Sequence, residues 1–200
     1  MSTLNRVLTL HAEAIHTATT YVSQVRERDL RRPTPCAEWD VAALLAHMVG
    51  QHRGFTRATR LGHAPREAYR PERFTHGRWL DSAFGLLGAF AEADPETTII
   101  EVELHPTRPL SLDTVIGAQL LDTAVHTWDV ARAIGLPYTP TEDLAAEVLR
   151  VAETVPDTPS RTRPGSAFAP GLPAPEGASD WERALTMLGR DPLQTRALPA

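Results

Sequence analysis

The sequence predicts an all-α protein, an up-down four-helix bundle with a short extended segment and extra helices at its C-terminal end. Three observations carry this. Apolar residues recur at helical spacing over several long segments. Those segments are bounded by N-cap residues and by glycine and proline stop signals. Strand-like composition is confined to one short stretch, TTIIEVELHPTRP. Long helices joined by loops, with so little strand, argue for helix-on-helix packing.

The elements follow in order. Leu4, Val7, Leu8, His11, Ile15, Ala18, Val22 and Val25 share one face, which predicts a first amphipathic helix over 3–27. RRPTPCAEWD breaks it with prolines, and Asp40 is an N-cap for a second helix over about 41–62. The segment 77–94 reads as a third helix, and the β-branched stretch after it as extended. A fourth helix spans about 111–135, stopped by Gly135 with Pro137 beyond. Residues 141–155 make a fifth. The stretch 156–176 carries six prolines and is either a strap or lid packed on the bundle or a surface excursion. A last short helix covers 178–189, ended by GRDP. There is no internal repeat, and 200 residues suit a single domain over 1–200, with the proline-rich strap at about 156–177 inside it.

Composition narrows the chemistry. All 20 basic residues are arginine, so there is no lysine for a Schiff base and no Walker lysine. No G-x-G-x-x-G fingerprint, Ser–His–Asp triad or nucleophile elbow is visible. A net charge of −5 argues against nucleic-acid binding, and no apolar run reaches the roughly 18–20 residues of a membrane span. The N-terminal stretch lacks signal-peptide order and Cys36 is the sole cysteine. The expected location is therefore a reducing cytoplasm.

The fourth helix carries the chemistry. At about 100° per residue, Gln119, Asp122, His126 and Asp129 fall within roughly 80° of one another. Leu121, Val125 and Trp128 flank them on one side, and Ile116, Leu120, Val130 and Ile134 on the other. A solvated face lies opposite an apolar stripe. This polar stripe lies between two apolar ones, so it points into the bundle. A buried carboxylate needs a partner. Asp122 and His126 stand four apart, the spacing of helical metal sites, and equally that of a buried Asp–His hydrogen bond. His47, at the edge of the apolar arc Val41, Leu44, Met48 and Phe55, is the best third ligand from another helix, or else a histidine capping the core. Asp129 is a partner for a ligand histidine or for Arg132. His52 lies farther inside the same arc, and His11 is a core residue or a pocket wall. Cys36 precedes a helix N-terminus, where a thiolate is favoured, or is a small half-buried residue in a connection. Arg53, Arg57 and Arg60 form a solvated stripe.

These residues bring the sequence to a family. PTPCAEWDVAALLAHMVG resembles the second-helix signature of the DinB-like superfamily. More narrowly, it resembles the actinobacterial metal-binding branch related to mycothiol-dependent maleylpyruvate isomerase. DTAVHTWDVARAIG is similar to that branch's carboxylate-x-x-x-His-x-Trp-Asp helix, and FAPGLPAPEGASDWERALTMLGRDP to its C-terminal segment. The resemblance implies a DinB-type four-helix bundle with a divalent metal held by His47, Asp122 and His126. The carboxylate position is more often glutamate in the family, and Asp122 is one methylene shorter.

The resemblance further implies an enzyme in which the metal activates a low-molecular-weight thiol, mycothiol, for S-transfer or isomerisation of a small electrophile. Zn²⁺ is the expected metal, with Ni²⁺, Fe²⁺ or Mn²⁺ equally compatible with nitrogen and oxygen donors. Asp129 would orient a ligand, and Trp128 and the proline-rich segment would wall the pocket. Two other readings stay open. One is a thiol-independent hydrolase, lyase or cyclase using metal-bound water. The other is a non-catalytic bundle binding a small ligand. The partners expected are a small molecule and the thiol, with no nucleic acid and no membrane, and the protein is a monomer or homodimer.

Overall fold

The computed structural model describes residues 2–36, 39–163, 166 and 168–193. Ala37 and Glu38 of the second-helix signature, and Pro164, Gly165 and Ala167 of the proline-rich stretch, lie outside them. The described chain is mostly helical: α1 Thr3–Val22, α2 Val41–Leu61, α3 His76–Glu92, α4 Leu112–Ile134, α5 Glu142–Ala152 and α6 Asp180–Met187. The termini are where capping chemistry puts them. Asp40 accepts the Ala43 N–H at 2.8 Å to start α2, and Ser179 with Glu182 forms a capping box on α6. Gly62 and Gly135 end α2 and α4 with φ of +78°, a left-handed conformation that costs glycine least.

The four long helices form the bundle, but α2 and α3 run the same way, so the order is up-down-down-up rather than strict alternation. The start of α2 clusters with Trp79 at the start of α3, whereas Phe55 and Ala58 later in α2 cluster with Leu86 and Phe90 later in α3. The α2–α3 connection makes this possible by running back along α2. Tyr69 lies against Gly54, and the Glu72 N–H donates to the Ala46 carbonyl at 3.0 Å. α4 runs opposite to both: Leu112, Val115 and Ile116 at its start pack with the ends of α2 and α3, and Val130 and Ala133 with the start of α2. α1 lies parallel to α4, with Val7 and Ile15 at the first end and Ala18 and Val22 at the other. This arrangement sets the first half of α2 against the middle of α4.

Three boundaries differ from the sequence expectation by three residues or more. α1 stops at Val22, because the chain turns at Ser23–Gln24 and still delivers Val25 to the core, so the apolar period outlasts the helix. The extended stretch shrinks to β1 Thr98–Ile99, paired antiparallel with β2 Leu110–Ser111, plus a bridge from Ile100 to His63. Beyond it the chain folds inward, where Tyr69 donates to the buried Glu101 carboxylate at 2.6 Å. α5 ends at Ala152, three residues early, in a turn over 153–155. The proline-rich stretch packs on the bundle: Arg161 is buried and donates to the carbonyls of Val155, Pro156, Ala169 and Met187. Among the described residues no helix is long and apolar enough to cross a membrane.

Gly50 is the position where the back-running connection constrains α2 most. A Cβ there would stand 2.5 Å from the Arg70 carbonyl oxygen and 2.8 Å from that of Tyr69. Gly→Ala in an open helix adds about 1 kcal/mol. Here overpacking against backbone reverses the sign, and Gly50→Ala should cost about 1–3 kcal/mol. A lower thermal midpoint by circular dichroism checks this, and an unchanged or higher midpoint would contradict it.

Candidate metal centre

The middle of α4 is buried on nearly every side, which is why its polar stripe faces inward. Opposite it, α2 presents His47 about a third of the way along. The three side chains meet. Asp122 Oδ1 lies 3.3 Å from His126 Nε2 and 3.6 Å from His47 Nε2, and the two imidazole centroids are 5.2 Å apart, edge to face. One ligand atom from each falls within 4.8 Å of the others. His47 Nε2, His126 Nε2 and Asp122 Oδ2 are buried atoms without a hydrogen-bond partner. Burial is graded: the His126 side chain is 0% exposed, whereas His47 and Asp122 keep 13% and 15%. The cluster is therefore closed behind His126 and open on the side of the other two.

Behind His126 the network is complete. Its Nδ1 meets Asp129 Oδ2 at 2.9 Å, and Asp129 in turn accepts from Arg190 Nη2 at 2.8 Å and from Arg190 Nε at 3.4 Å. Since the carboxylate only accepts, the imidazole keeps its proton on Nδ1 and presents Nε2 to the cluster. Asp129 thus partners His126, as one of its two expected roles had it. Its cation is Arg190 from the chain end, while Arg132 lies over the Trp128 ring at 5.6 Å. Burial opposes ionisation of Asp129, but the Arg190 charge and the His126 hydrogen bond outweigh it and hold the carboxyl below its usual range. At Asp122 burial also opposes ionisation, and the charges and contacts of His126 and His47 overcome it. At His126 burial favours the neutral ring, yet Asp122 and Asp129 together raise its pKa to about 9.

Aromatic rings enclose the cluster. Trp39 lies 4.6 Å from the His47 ring, and Phe168 stacks on His126 with centroids 6.0 Å apart and planes 13° from parallel. Trp128, the sequence candidate for a pocket wall, packs instead in the core with Leu121, Val125 and Trp181. Trp39, Phe168 and Arg190 were not singled out as site residues by pattern. Their signals were the signature motif before α2 and the FAPGLP and GRDP motifs near the end, whose spatial convergence on α4 no local periodicity encodes.

A second trio, Cys36, His126 and Asp129, also has ligand atoms within 4.8 Å of one another. It is poorly suited to a cation. Asp129 is already neutralised by Arg190, so this trio offers a cation no free carboxylate, and burial pushes the Cys36 thiol up to about 12.

The remaining interior histidines are core residues with one ring nitrogen paired each, and His52 Nε2 is a buried atom without a hydrogen-bond partner. His11 Nε2 donates to Gln119 Oε1 at 2.6 Å, an oxygen that also accepts from Thr123. His52 Nδ1 donates to Ser82 Oγ at 3.1 Å, whose own proton goes to the Trp79 carbonyl. Burial lowers their pKa values to about 4 and about 3. Both rings should stay neutral in the folded protein while the unfolded chain's histidines protonate near 6.5, so stability falls as pH drops from 6.5 toward 3. Imidazole nitrogen NMR checks the cause: neither ring should titrate above pH 5, and titration of either near 6.5 would contradict its burial.

Comparison with known proteins agrees with this fold. Residues 11–131 match the family model of the mycothiol maleylpyruvate isomerase N-terminal domain. The uncharacterized proteins Rv0738 and MT0763, from two strains of Mycobacterium tuberculosis, are each 29% identical over 188 residues. Those alignments cover 92% of this chain and 97% of the relative. Among solved structures, the crystal structure of the mycothiol-dependent maleylpyruvate isomerase superposes with a TM-score of 0.56 at 16% identity. It covers 84% of this chain and 81% of that one, a likeness of fold. With more than half of its length matched by the family model, and with this bundle, the chain belongs to the mycothiol maleylpyruvate isomerase N-terminal domain family.

Proposed function

We propose that the protein is a metal-dependent enzyme that binds one divalent ion through His47, Asp122 and His126 and activates a low-molecular-weight thiol, mycothiol, for S-transfer to, or isomerisation of, a small electrophile. The observation that supports this best is the set of unpartnered ligand atoms, His47 Nε2, His126 Nε2 and Asp122 Oδ2, gathered in the bundle interior. Unsatisfied buried polar atoms cost about 1–3 kcal/mol each. A concentration of them on facing helices fits a cation as the missing partner. Two imidazoles and one carboxylate suit Zn²⁺, with Ni²⁺, Fe²⁺ and Mn²⁺ also compatible.

The metal, when bound, supplies Lewis acidity that brings a coordinated thiol or water toward ionisation near neutral pH. The chain's own groups do the rest. Asp129 holds the Nδ1 proton of His126, which leaves the Nε2 lone pair for the ion. Asp122 brings the negative charge. Trp39 and Phe168 screen the histidines from water. The open side beside His47 and Asp122 is where a thiol and substrate would enter. The sequence has one cysteine, which is buried, and no lysine, so a side-chain thiolate and a lysine amine are not at hand as nucleophiles. That favours an exogenous thiol or a water over covalent catalysis by those two side chains.

Elemental analysis of untagged protein should find about one divalent ion per chain, and His126→Ala should abolish it. Retention of stoichiometric metal by that variant would sink the ligand assignment. Because His126 carries a second proton, on Nε2, up to about pH 9 in the metal-free protein, binding must expel it. Metal affinity should therefore rise with pH between about 6.5 and 9, measured by chelator competition; a flat profile would contradict the role of His126. Incubation of the loaded protein with mycothiol and electrophiles such as maleylpyruvate tests the chemistry. Turnover without thiol would favour a metal-bound water instead, and neither turnover nor thiol binding would remove the transferase reading.

A further inference from the structure

The C-terminal segment reaches the back of the metal centre at two points. Phe168 lies on the face of the His126 ring. Arg190, three residues past the end of α6, is 2% exposed and donates two hydrogen bonds to Asp129, the acceptor for His126 Nδ1. Its remaining nitrogen, Nη1, donates to the Leu188 carbonyl at 2.8 Å, which ties the guanidinium to the turn that follows α6. That turn is made by Gly189 at φ +77°, where a Cβ would meet the Ala169 backbone. The guanidinium also sits 5.3 Å over the Phe168 ring. The Phe168 contact with His126 and the Arg190 contact with Asp129 are therefore parts of one packed unit.

Asp129 has three donors: one from His126 and two from Arg190, which lies 61 residues away in sequence. Take away the guanidinium and the buried carboxylate loses its counter-charge and two of these three hydrogen bonds, keeping the one from His126. Its hydrogen bond to Nδ1 then no longer defines where Nε2 points. The reverse coupling follows from the same bonds. A cation on Nε2 draws electron density from the ring and makes Nδ1–H a stronger donor to Asp129. That strengthens the whole chain of contacts out to Arg190, and linkage of this kind is reciprocal.

We propose that Arg190 is a positioning residue for the metal centre. Acting through Asp129 on His126, it couples docking of the C-terminal segment, from Phe168 to Arg190, to divalent metal binding at the opposite edge of the imidazole. The inference rests on the metal reading above and extends it to a part of the chain that touches no proposed ligand atom of the triad.

The test uses the full chain and Zn²⁺ alone. Zinc affinity, by competition with a fluorescent chelator, should fall about tenfold in Arg190→Met and recover in part in Arg190→Lys, which restores the charge without the two-pronged contact. The visible spectrum of the Co²⁺-substituted variant should change in intensity, which a purely structural residue would leave alone. In the wild-type protein, hydrogen exchange of amides 184–190 should slow on adding zinc, and Arg190→Met should lose that response. Unchanged zinc affinity in a folded Arg190→Met protein would overturn the proposal. So would wild-type exchange over 184–190 that is indifferent to zinc, a measurement that decides the matter even if the variant does not fold. A wild-type protein that binds no zinc overturns the metal reading itself, and is told apart by the affinity measurement on the parent chain.

Discussion

A carboxylate held between two imidazoles inside a helical bundle imposes conditions on everything near it. Asp122 is ionised in spite of its burial because His47 and His126 approach it from α2 and from its own helix. His126 can take part because Asp129 keeps its other nitrogen protonated, and Asp129 can be buried because Arg190 supplies a counter-charge. Each polar group in the series is tolerated on account of the next, and the last comes from the end of the described chain. Removing one partner of such a buried pair costs several times more than an exposed ion pair is worth. The up-down-down-up order of helices serves this arrangement, since it sets the first half of α2 against the middle of α4.

Much of the fold was legible in the sequence because helix ends are local. Asp40, Gly135 and the Ser179–Glu182 pair announce their caps within a few residues. The places where it was less legible have tertiary causes. Val25 continues the apolar period of α1 although the chain has already turned. The parallel course of α2 and α3 depends on a connection that packs back onto Gly50 and Gly54, a close approach that a glycine permits but does not specify.

The candidate site divides the same way. The i, i+4 pair Asp122–His126 was visible as a polar stripe between apolar ones, and the structure adds that both side chains turn toward His47. The resemblance to the family named His47, and the interhelical geometry now gives it a physical reason. Arg190 could not be read from spacing, because a salt bridge across 61 residues leaves no periodic trace. Trp128 shows the opposite failing. Its place beside the polar stripe suggested a pocket wall, but the flank of an inward stripe is itself core, and Trp128 packs there with Trp181.

Everything proposed for the site turns on which atoms hold the ion. X-ray absorption fine structure of the zinc-loaded protein, without added thiol, reads this directly. Ligation by His47, His126 and Asp122 predicts a first shell of nitrogen and oxygen at about 2.0–2.1 Å, with the multiple-scattering pattern of two imidazoles and no sulfur. A sulfur scatterer at about 2.3 Å would place the ion with Cys36 instead and contradict the account.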